Sequence, residues 1–281
     1  MTTGTLYLCA TPIGNLGDVS ARCLEIFRMV DLIAAEDTRR TVQLLNHFEI
    51  TKPLTSYHEH NKREKGEYLI SLLKEGQNIA LVSDAGTPAI SDPGEDLVRL
   101  CIEHGLSVTT IPGPVAAINA LILSGLPTRR FAFEGFLSVN KRHRKEHLQS
   151  LKNDTHTLIF YEAPHKLKYT LADMRETFGG ERKIALVREL TKLHEEVLRF
   201  TLEEAVAFYI ETNPRGEYVL IIEGAQEIPE EEAWWNALSP EEHVKHYISE
   251  GLSDKDAVKK TATDRGVPKR EIYQQFHHLN D

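Results

Sequence analysis

Three loops with the composition of a ligand site each follow a short apolar run in the first half of the sequence. They cover residues 10–18, 81–94 and 111–117 and are rich in Gly, Ala, Pro, Ser and Thr. Small residues let a ligand approach the backbone, and a side chain such as that of Asp84 adds polar contacts. The first loop lacks the GxGxxG pattern, and alone it could equally be a tight turn capped by Asp18. Because the carboxyl ends of parallel strands meet at one sheet edge, the three loops together predict a ligand crevice there.

A cluster of charged side chains occupies the segment Ala-Glu-Asp-Thr-Arg-Arg at 35–40, again directly after an apolar run. The carboxylates of Glu36 and Asp37 and the guanidinium of Arg39 could form a polar substrate site. The same residues could instead cap a helix and form a solvated ion pair. Both interpretations stay open from the residues alone.

Polar segments also follow or precede the predicted strands of the second half. They cover residues 161–166, 188–192 and 214–217. Each segment is a weak signal by itself. Their shared placement at strand ends makes them candidates for the same ligand site.

A basic run stands out in a chain whose formal net charge is −9. It includes Lys141, Arg142, Arg144 and Lys145, and a second group near the C-terminus includes Lys269 and Arg270. The overall charge excludes a protein coated in positive charge, but a local patch could contact the phosphates of RNA. A solvated helix face is the alternative for the first run.

Several classes of site and location are disfavoured by motifs that the sequence lacks. The 13 histidines include the couple His58 and His60 and the adjacent pair His277 and His278, but together they do not predict a metal site, and the three cysteines show no disulfide framework. There is no Walker A motif and no nucleophile elbow. The sequence contains no apolar run of about 18 residues, so no membrane-spanning helix is predicted. The first residues do not resemble a signal peptide. We therefore expect a metal-free cytoplasmic protein that does not act at a membrane.

The hydrophobic pattern predicts an α/β fold, because short apolar runs alternate with segments of helical period. The pattern restarts after the Gly-Leu-Pro at 125–127, which divides an N-terminal α/β domain, 1–124, from a second α/β domain, 125–225. Strands are predicted at 5–10, 31–35, 78–83, 107–111, 130–136, 156–161, 183–187, 196–201 and 217–223, and helices at 19–30, 41–48, 64–74, 94–104, 115–124, 141–152, 165–178 and 202–210.

The last part of the chain has a different composition. Residues 226–242 contain six Glu and no Lys or Arg, which is typical of an acidic linker, and Trp234 and Trp235 could dock it. Residues 243–281 predict a small helical domain that resembles a helix-turn-helix. Ser253 is a favourable N-cap for one of its helices and Gly266 a favourable end.

Taken in order, the motifs of the chain resemble the tetrapyrrole methylase superfamily, and more closely its branch that acts on ribosomal RNA. The resemblance covers residues 5 to about 225, and the C-terminal helical extension is also a feature of that branch. The segments that carry it are LYLCATPIGNLGD (6–18), AEDTR (35–39), LVSDAGTPAISDPG (81–94), IPGPVAA (111–117), SGLP (124–127), FEGFL (133–137) and YEAPHK (161–166).

The resemblance implies a homodimer that binds S-adenosylmethionine (SAM) in a cleft between the two α/β domains. It also implies methylation of the ribose 2′-oxygen of cytidine 1402 in the decoding region of 16S rRNA, either free or in the small ribosomal subunit. By position it implies catalytic roles for Glu36 or Asp37 as a general base and for Arg39. The SAM-binding residues implied by position are Pro12, Asp84, Gly86, Thr87, Ile90, Val115, Ala116, Ala117, Tyr161, Leu190 and Gly216.

Asp84 stands where the superfamily often has the Asp of a Gly-Asp-Pro turn, with Ser83 and Ala85 in place of the Gly and the Pro. Two other functions remain as alternatives. A methyltransferase that acts on a tetrapyrrole or another small molecule would share the fold and SAM, but would not explain the basic helix and the helical extension. A non-enzymatic RNA-binding protein would not need the strand-end loops.

Overall fold

The computed structural model describes residues 2–226, 234–235 and 237–277. Contacts within the chain divide it into two compact units, Met1–Ala225 and Gln226–Asp281. Among the described residues, no helix combines the length and the apolar character that a membrane crossing requires.

The first sheet consists of five parallel strands in the order β3-β2-β4-β1-β5. The central strands β2 and β4 are buried along their whole length, which explains why they appear in the sequence as uninterrupted apolar runs. The short strand β3, half-buried, was not predicted. The strands are β1 Thr5–Cys9, β2 Leu32–Ala35, β3 Leu54–Ser56, β4 Ile79–Val82 and β5 Ser107–Ile111.

Helices cover both faces of this sheet. On β4, the side chains of Ile79 and Leu81 pack with α3 and α4, while Ala80 and Val82 pack with α1 and α2. This alternation follows from the pleat, which sends successive side chains to opposite faces. The helices are α1 Ala21–Met29, α2 Thr38–His47, α3 Lys62–Lys74 and α4 Gly94–Glu103.

The second sheet has the order β6-β7-β10-β8-β9 and is mixed. Only β6 and β7 pair in parallel, and β10 runs antiparallel to both β7 and β8. The parallel arrangement that the strand–helix alternation predicts for the first half is confirmed by the first sheet, and the second sheet departs from it. The reason is local: the seven residues that join β8 to β9 are too few for a parallel crossover. The strands are β6 Phe131–Phe136, β7 Thr157–Glu162, β8 Lys183–Arg188, β9 Glu196–Thr201 and β10 Tyr218–Ile222.

The helix α5, Ala116–Ser124, follows β5 of the first sheet but packs on the second. Its buried residues Ala117, Ala120 and Leu121 contact the side chains of β7, β8 and β10. The opposite face of the second sheet is covered by α6 Lys141–Ser150, α7 Pro164–Phe178 and α8 Leu202–Glu211. Because α5 links the two sheets, the loop in front of it lies where the two halves of the unit meet.

Within its described residues, the C-terminal unit contains three helices: α9 Pro240–Ser249, α10 Asp254–Arg265 and α11 Lys269–Phe276. They share an apolar core that includes Val244 and Ile272. As predicted, Ser253 caps α10, and Gly266 ends it in a left-handed conformation with φ +65°. Residues 227–233 and 236 of the predicted acidic linker lie outside the described residues. Helix α9 begins at Pro240, within the last part of that predicted linker.

Candidate functional site

The three small-residue loops of the first sheet lie together at the carboxyl edge of that sheet. Because β1 and β4 are neighbours, the loops after them pair through a bridge between Thr11 and Gly86. The Thr11 amide donates to the Gly86 carbonyl oxygen at 2.9 Å, and the Gly86 amide donates to the Thr11 oxygen at 3.1 Å. The Thr87 hydroxyl then donates to the Pro114 carbonyl oxygen at 3.1 Å. These bonds hold loops 10–18, 81–94 and 111–117 in one surface.

Gly86 is required at the centre of this surface for two reasons. Its φ of +80° is a conformation that side chains with a Cβ rarely adopt. A Cβ at this position would also lie 3.2 Å from Cγ2 of Ile13 and 3.4 Å from the Pro114 oxygen. A side chain here would therefore push apart the loops that the bridge holds together.

The polar segments of the second sheet also share one edge. Tyr218, at the start of β10, pairs with Glu162 on one side and Arg188 on the other. Because β10 is antiparallel to its neighbours, the segment 214–217 before it lies beside the segments that follow β7 and β8. Gly216, with φ +73°, packs so closely on the Glu189 carboxylate that a Cβ would overlap it.

Loop 188–192 carries unusual backbone conformations. Glu189 and Thr191 both have left-handed φ values, +51° and +65°. Non-glycine residues in this region are strained, and such strain concentrates where the surrounding structure fixes a functional loop. The hydroxyl of Thr191 is buried and has no hydrogen-bond partner within the described residues. An unsatisfied buried hydroxyl indicates a partner that the chain does not supply.

The two sheet edges meet. A Cβ on Gly14, in the loop after β1, would lie 3.1 Å from the Leu190 carbonyl oxygen of the second sheet. At the start of α5, the Ala117 amide donates to the Tyr161 hydroxyl at 3.3 Å. Loops from both halves of the unit thus form one continuous surface of small residues and backbone polar groups.

Most residues predicted to bind SAM lie at this junction. Val115 and Ala116 are half-buried at the start of α5 and pack in the same apolar cluster as Tyr161 and Leu190. Ile90 is different, because its side chain is 47% exposed and its amide donates to Asp92. The structure therefore places Ile90 on the outer part of its loop.

The predicted catalytic residues divide into two environments. The Glu36 carboxylate accepts a hydrogen bond from the Asp84 amide at 3.3 Å, and burial raises the pKa of Glu36. Asp37 caps α2 and pairs with the guanidinium of Arg39 at 2.7 Å. The hydrogen bonds from Arg39 lower the pKa of Asp37 to about 2. At neutral pH, Glu36 is the better proton acceptor of the two, because an acceptor with a raised pKa is a stronger base.

A cavity of about 280 Å³ opens on the side of the loops that faces β2, and Glu36 contacts it through the lining residue Asp84. Pro12 and Asp84 line it, and so do residues of α2 that were not predicted. Helix α2 begins at Thr38, three residues earlier than predicted, so that Arg40, Gln43 and Leu44 share one face with the helical spacing i, i+3 and i+4. A start at the Asp37 cap would have revealed this face. The lining residues are Thr11, Pro12, Gly14, Leu16, Arg40, Thr41, Gln43, Leu44, Ser83 and Asp84.

The basic helix α6 is largely paired with carboxylates. The side chain of Arg144 is only 12% exposed, contacts Asp173 at 2.7 Å and donates to the Ser138 carbonyl oxygen. Lys145 pairs with Glu176 at 2.6 Å. Arg142 pairs with Glu146 but stays exposed, as does Lys141. Arg144 is therefore engaged by the protein, whereas Lys141 and Arg142 remain accessible to an anion.

We expect Arg144→Ala to lower the free energy of unfolding by roughly 1–3 kcal/mol, because the nearly buried Asp173 carboxylate loses its partner at 2.7 Å and keeps the more distant contact with Lys145 at 3.9 Å. Chemical denaturation measures the change. The matched control is Lys141→Ala on the same helix, which should unfold like the parent. Equal stability of the two variants would contradict a structural role for Arg144.

In the C-terminal unit, Lys269 and Arg270 are exposed in the first turn of α11. Lys269 lines a hollow of about 780 Å³ together with Lys255 and Lys259 of α10. Trp235 stacks on His243 of α9, with ring centroids 5.1 Å apart. In the described part of the chain, no group of three or more His, Cys, Asp or Glu residues is arranged to hold a metal ion.

Comparisons with known proteins agree with the sequence motifs. The family model of tetrapyrrole (corrin/porphyrin) methylases matches residues 5–206. A protein of Halalkalibacterium halodurans, named ribosomal RNA small subunit methyltransferase I, is 55% identical over 275 residues, which cover 98% of this chain and 95% of its own. The Bacillus subtilis protein of the same name is 51% identical over 276 residues, with coverages of 98% and 94%. Among solved structures, diphthine synthase aligns with a TM-score of 0.60 over 79% of this chain and 90% of its own, at 15% identity, which shows a shared fold.

Proposed function

The chain belongs to the tetrapyrrole methylase family and is a methyltransferase, and on this premise we propose that it transfers a methyl group from SAM to the ribose 2′-oxygen of a cytidine in 16S rRNA. The observation that carries the proposal is the extent of the similarity. The relatives named for ribosomal RNA match 98% of the chain, including the C-terminal helices. The structural match to diphthine synthase covers 79%.

The chemistry of the junction between the two sheets supports the assignment of the SAM site. Backbone amides and carbonyls of small-residue loops can bond an adenine and an amino-acid tail without bulky side chains in the way. The unpartnered Thr191 hydroxyl lies in these loops, and so does Gly86, where a side chain would not fit. We assign Gly86, Thr87, Ala117 and Tyr161 to this site. The remaining proposed SAM-binding residues are Pro12, Asp84, Ile90, Val115, Ala116, Leu190 and Gly216.

When bound, SAM supplies an electrophilic methyl group on a positively charged sulfur. The main task of the chain is therefore to hold the acceptor ribose in line, and orientation of this kind is worth about 7–11 kcal/mol. To Glu36, whose pKa burial raises, we assign the role of accepting the proton of the ribose hydroxyl, which adds a further factor of about 10²–10⁴. Asp37 and Arg39 position the start of α2 through their ion pair.

RNA contact is proposed for exposed cations of both units. Lys141 and Arg142 of α6, and Lys269 and Arg270 of α11, are accessible to phosphates. Arg144 and Lys145 support α6 through Asp173 and Glu176. Because the chain belongs to this family, we also expect it to form a homodimer in the cytoplasm. Light scattering of the purified protein measures the oligomeric state.

Neutralising Lys269 and Arg270 together, each by substitution with Gln, should weaken RNA binding and reduce its salt dependence. Each phosphate contact that is lost should lower the slope of log affinity against log salt by about 0.7–0.9. Filter binding to 16S rRNA at several salt concentrations measures both effects. The control is Lys245→Gln, because Lys245 is already paired with Glu241. A slope equal to that of the parent would remove the two residues from the RNA interface.

The function is tested by methyl transfer from radiolabelled SAM to isolated small ribosomal subunits that lack the modification, with free 16S rRNA assayed in parallel. We expect label on the ribose of one cytidine in the decoding region, located by primer extension at low nucleotide concentration. Label on a base or on a ribosomal protein, or the absence of label from both substrates, would reject the proposal. A preference for the subunits over free rRNA identifies the assembled particle as the substrate.

A further inference from the structure

The cavity beside Glu36 is separate from most of the proposed SAM site, although the same loops form both. It lies between the loops after β1 and β4 and the helix after β2. Within the described part of the chain, Pro12 and Asp84 are the only proposed SAM-binding residues that line it. The others cluster towards β5 and the second sheet. The bridge between Thr11 and Gly86 thus lies between the cavity and the rest of the proposed SAM site.

The lining of this cavity combines an apolar surface with an unused polar edge. Leu16 is 41% exposed, and Pro12 and Leu44 continue its apolar surface. Among the other lining residues, Gln43 is exposed, and its side-chain amide has no hydrogen-bond partner within the described residues. The Arg40 guanidinium is 61% exposed and contacts the Asp84 carboxylate at 3.2 Å. An apolar wall with free donors and acceptors at its rim is the arrangement that recognises a nucleobase, whose faces are apolar and whose edges are polar.

The size and position of the cavity restrict its ligand further. A volume of about 280 Å³ lies below the roughly 300–1,000 Å³ of pockets for drug-sized molecules, so it suits one nucleoside better than an entire cofactor. Glu36 lies next to it, because its carboxylate accepts the amide hydrogen of the lining residue Asp84. A ribose held at the mouth of the cavity would be close to the proposed proton acceptor.

We infer that this cavity seats the acceptor nucleoside, a single pyrimidine turned out of the RNA, and that Gln43 hydrogen-bonds the edge of its base. The inference rests on the proposed function and adds a residue that positions the acceptor base. A side-chain amide has one acceptor and two donors. It can accept from the exocyclic amine of cytosine and donate to the neighbouring ring nitrogen. Arg40 neutralises the charge of the Asp84 carboxylate through their ion pair and completes the polar edge of the cavity.

The test replaces Gln43 by Leu, which keeps the volume of the side chain but removes its hydrogen bonds. Methyl transfer is measured on small subunits that carry cytidine at the acceptor position. We expect kcat/KM to fall roughly 5-fold to 100-fold. Calorimetry should give a SAM affinity within twofold of the parent. The matched control is Asn46→Leu, an exposed amide on the same helix that does not line the cavity.

The outcomes separate this inference from the function on which it depends. If the parent methylates no subunit, the proposed function fails before Gln43 is tested. If the parent is active and Gln43→Leu keeps the kcat/KM of the parent, Gln43 does not bind the base and the inference is overturned. If Gln43→Leu weakens SAM binding as much as it lowers kcat/KM, the cavity belongs to the donor site and the inference is likewise overturned.

Discussion

Replacement of Glu36 by Gln is expected to lower turnover at saturating SAM about 10²-fold to 10⁴-fold, the range of an enzymatic general base. The substitution keeps the size of the side chain and its ability to accept the Asp84 amide hydrogen. Only the basic oxygen is lost. Single-turnover methyl transfer to small subunits measures the effect on the chemical step.

The pH dependence gives a second readout for Glu36. Burial raises its pKa, and a base must be ionised, so the turnover of the parent should rise with pH as that raised pKa is passed. The Gln variant should lack this limb. The contribution of Glu36 to the free energy of unfolding should change with pH in the opposite direction to turnover. A carboxyl whose pKa is higher in the folded protein than in the unfolded chain costs stability above the unfolded pKa, because the folded state disfavours its charge. Glu36→Gln should therefore unfold at no lower a temperature than the parent at neutral pH.

Glu25→Gln is the control for these measurements, since Glu25 is an exposed carboxylate on α1. It should behave like the parent in all of them. Substitutions of Asp37 and Arg39 by Ala should lower turnover less than that of Glu36, because these residues act through the start of α2. Turnover within about threefold of the parent for Glu36, Asp37 and Arg39 variants alike would show that alignment alone drives the reaction and that no base assignment holds.

The second large effect is expected at Gly86. Gly86→Val should weaken SAM binding at least about tenfold, because a branched side chain with a φ of +80° must displace Ile13 or the Pro114 carbonyl. The strain of the left-handed conformation should also cost roughly 1–3 kcal/mol of stability. Calorimetry with SAM, at a temperature where thermal unfolding shows the variant to be folded, measures the affinity. Gly86→Ala provides a milder form of the same test.

Gly105→Val separates local displacement from general strain. Gly105 has a φ of +65°, and a Cβ there would meet no atom within 4 Å. This variant should lose similar stability but bind SAM like the parent. Parent-like affinity in Gly86→Val would remove loop 81–94 from the SAM site. A comparable loss of affinity in Gly105→Val would attribute the effect to strain rather than to the loop.

Much of the fold follows from short-range patterns in the sequence. The apolar runs at Leu32–Ala35 and Ile79–Val82 mark central strands, since a strand buried on both faces has no polar positions. Strand β3 was missed because three half-buried residues carry no periodic signal. The start of α2 was predicted too late, and the face that carries Gln43 was missed with it.

The charges of α6 show what a local pattern leaves out. Arg144 was predicted to bind RNA because it stands in a basic run. In the structure it contacts Asp173, which lies 29 residues away in the sequence and on a different helix. A run of like charges is visible locally, whereas the opposite charges that neutralise it come from elsewhere in the fold.

The sequence by itself determined the α/β character, the boundaries of most elements and the family, because these depend on local hydrophobic periodicity and on contiguous motifs. Only the tertiary structure decided which loops meet. The pairing of Thr11 with Gly86 depends on β1 lying next to β4, and the contact of segment 214–217 with the ends of β7 and β8 depends on β10 running antiparallel. Strand order and direction are set by packing between residues far apart in the chain, and no local pattern encodes them.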